Sequence, residues 1–113
     1  MKPEMTTYPS GTKRWYLNGL LHREDGPAIT WSNGTEKWYL NNQLHREGGP
    51  AVTWPSGHEE WWVRGKLHRE DGPAVSNHDG AESWYLNGER ATEDEVWAQS
   101  LKKQIAEAIN DAA

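Results

Sequence analysis

The 113-residue chain contains no cysteine and no phenylalanine. Without cysteine there are no disulfides, no thiolate nucleophile and no Cys-type zinc site. A small fold without covalent staples must draw its stability from packing or from oligomerisation. Aliphatic residues are also scarce. Only 35% of positions are hydrophobic, and the mean hydropathy is strongly negative. No stretch approaches the roughly 18 apolar residues of a membrane span. The opening Met1–Thr7 has no signal-peptide apolar core, so cytoplasm is the expected compartment. Twelve basic residues stand against 17 acidic ones, a net charge of −5. That balance argues against long nucleic acid, which requires a basic face.

What is present is aromatic: eight Trp and four Tyr. Disordered chains lack such residues, and each buried ring removes roughly 150–250 Å² from water. The composition predicts one folded sheet held by a few large side chains, too small for a large two-layer enzyme core.

Comparison of the chain with itself shows why the aromatics recur. Segments 8–30, 31–53, 54–76 and 77–99 start at a constant spacing of 23 residues. The first three read YPSGTKRWYLNGLLHREDGPAIT, WSNGTEKWYLNNQLHREGGPAVT and WPSGHEEWWVRGKLHREDGPAVS. The fourth begins in kind, NHDGAESWYLNGE, and then departs. Each unit carries a strand around Trp15-Tyr16-Leu17 or its equivalents, rich in good β formers. Asn18-Gly19 and its equivalents supply the positive φ angles of a tight hairpin. A second strand follows Gly-Pro (26–27, 49–50, 72–73), and a Ser-Gly, Asn-Gly or Asp-Gly turn separates it from the next unit's first strand. The predicted fold class is mainly β with one C-terminal α-helix. It is an antiparallel β-meander of about eight short strands built from four 23-residue repeats.

The 23-residue period, the aromatic pair before Asn-Gly, the His three residues after that Gly and the second turn Gly resemble MORN-like (MORN variant) repeats. Units of the WYLNG-x-LHREDGPA type occur in phages and bacteria. The resemblance covers about residues 8–90. It implies a tandem-repeat β-sheet and a phage or bacterial setting. His22, His45 and His68 are each followed by Arg-Glu where the standard unit has Gly-x-Gly, so phospholipid binding does not carry over. The expected organisation is an N-terminal extension (1–7), the repeat sheet (8–30, 31–53, 54–76, 77–91) and a helix (92–113). Thr92 and Glu95 form a capping box. Trp97, Leu101, Ile105 and Ile109 then make one apolar stripe at helical spacing. That stripe either covers the sheet or supplies a homodimer or partner surface.

Three equivalent His invite a metal. Equivalent residues lie two strands apart, about 9–10 Å, whereas zinc ligands must meet within about 2.1 Å of one centre. No shared metal is expected; His22, His45 and His68 are assigned a structural role on the Gly-Pro turns. Adjacent carboxylates such as Glu24-Asp25 point apart on extended chain. A catalytic site is singular, whereas these residues repeat. No catalytic residue and no cofactor are assigned, and the chain is read as non-enzymatic.

Strand alternation puts Trp15, Trp38, Trp61 and Trp84 on one face, read as core, and Tyr16, Tyr39, Trp62 and Tyr85 on the other. The second ladder is expected to be covered by the helix or by sheet curvature, or else to form a recognition face with Arg23, Arg46 and Arg69. The expected function is protein binding, with a phage or mobile-element protein docking on and inhibiting a bacterial defence protein. The alternatives are a sponge holding a small nucleotide on the aromatic and Arg residues, and a scaffold module assembling through sheet edges and helix.

Overall fold

A computed structural model of the chain describes residues 1–112. Ala113, the last residue assigned to the helical segment, lies outside the described residues. The strands are β1 (Glu4–Thr7), β2 (Lys13–Leu17), β3 (Leu20–Leu21), β4 (Ile29–Thr30), β5 (Glu36–Lys37), β6 (Tyr39–Leu40) and β7 (Gln43–Leu44). They continue with β8 (Val52–Thr53), β9 (Glu59–Glu60), β10 (Trp62–Val63), β11 (Lys66–Leu67), β12 (Val75–Ser76), β13 (Glu82–Leu86) and β14 (Glu89–Ala91). Helix α1 (Glu93–Ala112) closes the chain. Every strand pair is antiparallel. The class is the expected one: mainly antiparallel β with a single C-terminal helix.

The strand count exceeds eight for a local reason. In each of the first three units one long strand pairs with two short segments lying end to end. Trp15 marks the division. Its N–H donates to the Ala28 carbonyl (2.8 Å), while its own carbonyl accepts from the His22 N–H (3.0 Å). The same pair of bonds recurs at Trp38 and Trp61. Between the two segments the chain 23–27 bulges out as a loop, because Pro cannot donate to a ladder. In the two inner units the long strand itself is interrupted at Trp38 and Trp61, giving β5/β6 and β9/β10. The segment read as an extension supplies the edge strand β1, in register Met5 opposite Trp15.

The main ladder runs β1-β2-β4-β5-β8-β9-β12-β13-β14, with β3 on β2 and the hairpins β6-β7 and β10-β11 alongside. Those hairpins are joined to their neighbours by main chain: Asn42 N–H donates to Leu21 O (2.9 Å), Gly65 N–H to Leu44 O (2.9 Å) and Gly88 N–H to Leu67 O (2.8 Å). Both central residues of the two-residue turns 18–19, 41–42, 64–65 and 87–88 have positive φ, including the non-glycine Asn42 (66°) and Arg64 (51°). Asn42 compensates by accepting the Leu21 N–H on its side-chain oxygen (2.7 Å).

The fully buried interior is small. Ala28, Ala51, Ala74 and Val96 have no exposed surface, and Ile29 and Val52 have 5% and 2%. The Trp15, Trp38, Trp61 and Trp84 ladder read as core is only half-buried, standing over the three alanines rather than enclosed. The capping box forms as expected, with Glu95 N–H to Thr92 Oγ1 (3.1 Å) and Thr92 N–H to Glu95 Oε1 (3.0 Å).

Candidate functional site

Directly paired residues share a face of an antiparallel sheet, and alternate residues along a strand change face. One row across the sheet reads Arg14, Ile29, Lys37, Val52, Glu60, Val75, Ser83. Tyr16 and Tyr85 lie two residues further along β2 and β13. Tyr39 and Trp62 lie two residues beyond β5 and β9, at the start of β6 and β10, so all four belong to this face. The opposite row reads Lys13, Thr30, Glu36, Thr53, Glu59, Ser76, Glu82. The Trp15 ladder and the buried alanines share that second face.

On the tryptophan face the arginines hold the loops down. The guanidinium carbons of Arg23, Arg46 and Arg69 sit 4.2, 3.9 and 3.8 Å from the ring centres of Trp15, Trp38 and Trp61. Each Nη1 donates to the proline carbonyl of its own loop: Pro27 (3.3 Å), Pro50 (3.1 Å) and Pro73 (3.2 Å). Arg23 and Arg69 also donate from Nε to Asp25 (3.0 Å) and Asp71 (2.9 Å). The second unit has Gly48 in place of that aspartate. Gly49 is required for close approach, since a Cβ there would lie 2.7 Å from the Arg46 guanidinium carbon. This corrects the expected site. The repeated arginines lie on the tryptophan face and are consumed by the loop, and they do not join the Tyr16, Tyr39, Trp62, Tyr85 ladder.

The histidines are structural contacts, but not on the Gly-Pro turns. His22 Nδ1 accepts from the Asn41 N–H (3.1 Å), His45 Nδ1 from Arg64 (3.0 Å) and His68 Nδ1 from Asn87 (2.9 Å). Each ring therefore ties its unit to the hairpin turn of the next. A turn N–H with positive φ faces sideways rather than into a ladder, so it needs such an acceptor. The Gly-Pro carbonyl is already taken by Arg.

Helix α1 settles on the tryptophan face. Its buried anchor is Val96, and the Trp97 ring meets Trp84 edge-on at 6.0 Å. Lys103 donates to Glu70 Oε2 (3.3 Å). Ser100, Lys103, Gln104 and Glu107 border the groove over Trp61 and Val63. The apolar stripe points elsewhere: Trp97, Leu101, Ile105 and Ile109 are 45%, 56%, 52% and 65% exposed. Val96 escaped the sequence reading because the longest run at helical spacing lay on the neighbouring stripe.

The helix leaves the tyrosine face uncovered, so the expected cover over Tyr16, Tyr39, Trp62 and Tyr85 is absent among the described residues. Ile29 and Val52 are buried there between two rows of rings. The second row comes from the turns: Tyr8, Trp31 and Trp54. Arg14 lies over the Tyr8 ring (5.3 Å) and Lys37 over Trp31 (5.5 Å). The Tyr8 and Tyr16 hydroxyls are 3.4 Å apart. That hydroxyl contact, and then Arg14, pull the Tyr16 phenol below its ordinary value. Burial pushes Tyr39 above its own. In the third unit the charge reverses. Glu60 accepts from Trp62 Nε1 (2.8 Å) and pairs with the Nε2 of buried His58 (2.8 Å), whose Nδ1 contacts Asn77. Neither cluster was singled out from sequence. Both occupy positions where the units differ (Arg14, Lys37, Glu60, Ser83; Thr12, Thr35, His58, Ala81), and those differences are the signal that finds them.

No helix among the described residues is long and apolar enough to cross a membrane. The grooves over Trp15 and Trp38 have volumes of about 430 and 250 Å³ and are bordered by Glu24, and the second also by Glu47. No protein-family model, curated protein or solved structure matches the chain.

Proposed function

We propose that this protein is a non-enzymatic protein-binding module whose recognition surface is the tyrosine face of the sheet. One observation carries the proposal: the rings of Tyr8, Tyr16, Trp31, Tyr39, Trp54, Trp62 and Tyr85 stand in two rows that the helix, seated on the other face, does not cover. Tyr, Trp and Arg are the residues that dominate binding energy at protein interfaces. Here they are set on paired strands, so little conformational entropy is lost on binding. Arg14 and Lys37 in the first two units, Glu60 in the third and Arg90 over Tyr85 in the fourth give an unsymmetrical charge order that sets a partner's orientation. The sponge reading is less favoured. The repeated arginines are engaged, and carboxylates border the grooves where phosphates would sit.

The repeat resemblance directs the search for the partner to bacterial proteins, defence proteins first, with inhibition as the outcome of docking. The test is affinity capture from bacterial lysate with the parent and with Tyr16→Ser/Tyr85→Ser, alongside nucleotide extraction from the purified protein. The expected result is one stoichiometric protein held by the parent and lost by the folded double variant. Capture unaffected by the double variant, or co-purified nucleotide with no protein, would overturn the proposal.

A further inference from the structure

The tryptophan side carries an apolar helix stripe that the monomer leaves largely open and a half of the sheet face that the helix does not reach. The first is the outward stripe of α1, Leu101, Ile105 and Ile109, each more than half exposed, continued by Trp97, whose ring keeps one edge on Trp84. The second is the half of the face over the first two units. The groove over the third unit is bordered by Ser100, Lys103, Gln104 and Glu107 of the helix. The equivalent grooves over Trp15 and Leu17, where Met1–Pro3 form one border, and over Trp38 and Leu40 have no helix residue at their edge. The helix reaches only part of the way because 20 residues span about 30 Å, while the longest dimension of the molecule is 51 Å.

We infer that a second copy of this chain covers both features, the two tryptophan faces meeting about a two-fold axis. Each helix then lies between its own third and fourth units and the partner's first and second. The stripe and the open half belong to one face of one chain, side by side. A two-fold operation brings the stripe of each copy over the open half of the other and closes the assembly at two chains. Charge supports the match. Lys103 already pairs with Glu70 at 3.3 Å, which leaves Glu70 only 30% exposed. The equivalent Glu24 and Glu47 are 81% and 90% exposed. Lys102, next to Leu101 on the outward side, is also exposed. It is placed to repeat across the interface the pairing that Lys103 makes within the chain.

The footprint is adequate. A helix about 30 Å long and about 10 Å wide offers roughly 300 Å² of projected surface, and the open half offers a similar area. Together they give roughly 600 Å² per partner, the lower end of the roughly 600–1,000 Å² per partner of specific stable interfaces. This surface is opposite the proposed partner-binding face, so the two can be tested separately.

The experiment is sedimentation velocity on the full chain over a concentration series from micromolar to hundreds of micromolar. The parent is expected to be dimeric. Leu101→Asp/Ile105→Asp, at positions that do not touch the chain's own sheet, should raise the dissociation constant roughly 30-fold or more with an unchanged near-ultraviolet dichroism spectrum. Lys102→Glu alone and Glu24→Lys/Glu47→Lys alone should each weaken the dimer, and their combination should restore it. A monomeric parent across the series, a dimer indifferent to Leu101→Asp/Ile105→Asp, or a charge exchange that fails to restore association would each overturn the inference. The last outcome would mean that the stripes pair only with each other.

Discussion

The two faces of this sheet use aromatic residues for opposite ends. On the tryptophan face every ring has an immediate local partner: Arg23 on Trp15, Arg46 on Trp38, Arg69 on Trp61 and Trp97 against Trp84. The interactions repeat every 23 residues because each fastens a loop to its own unit. On the tyrosine face the rings stand over Ile29, Val52 and His58, and the polar residues between the rows change from Arg14 to Lys37 to Glu60 to Ser83. Regular pairing on one side makes a scaffold. Variation on the other makes a surface with distinguishable ends.

The sharpest test of that division compares one Trp from each face. Trp38→Ala removes the ring between Arg46 and Ala51, and should cost about 3 kcal/mol by urea denaturation, the low end of the large-to-small range because the ring is half-buried. Trp54→Ser, at a 46% exposed turn position on the other face where the ring stacks on His58 at 4.2 Å, should cost less, about 1 kcal/mol. Equal effects would erase the distinction between scaffold and surface.

Gly49→Ala probes the stacked arginine. The added methyl would meet the Arg46 guanidinium at 2.7 Å and displace it, at about 1–2 kcal/mol. On an Arg46→Ala background, which itself costs about 1 kcal/mol, the same substitution should be nearly neutral. A full, additive cost in the double-mutant cycle would show that Gly49 is needed for some other reason.

Arg64 holds φ at 51° in a hairpin turn where the other units have Asn. Arg64→Asn should therefore stabilise by about 0.5–1 kcal/mol, since Asn tolerates this conformation better. An unchanged urea midpoint would show that the turn carries no strain worth relieving.

The smallest effect lies on the tyrosine face at alkaline pH. Tyr39 is raised by burial, so its contribution to stability is present below the ordinary tyrosine pKa and is lost as pH rises through the folded value. Tyr16 is lowered by the Tyr8 hydroxyl and then Arg14, so its contribution is present above the ordinary value and is lost as pH falls through the folded one. The two oppose each other across the alkaline range. Ultraviolet titration should show Tyr16→Phe removing an early phenolate step and Tyr39→Phe a late one. The reverse order would place Arg14 away from Tyr16.

Much of the framework could be read in residues alone. Asn18-Gly19 and its equivalents require positive φ, Thr92 and Glu95 can bond reciprocally, and alternation separates Trp15 from Tyr16. These are contacts between neighbours or near neighbours in the chain, so the local residue types determine them. They also fixed the class, antiparallel sheet with a terminal helix, and the spacing of its units. Tertiary structure alone decided what crosses between segments. Which side the loop 23–27 folds toward set Arg23, Arg46 and Arg69 on the tryptophans and away from the tyrosines. The stacking of one unit on the next gave His22, His45 and His68 their acceptor role toward the following hairpin. The direction in which α1 leaves β14 made Val96 its anchor, turned Leu101, Ile105 and Ile109 outward and left the tyrosine face open. Spacing along a chain records which side chains share a stripe, but not which surface that stripe will meet.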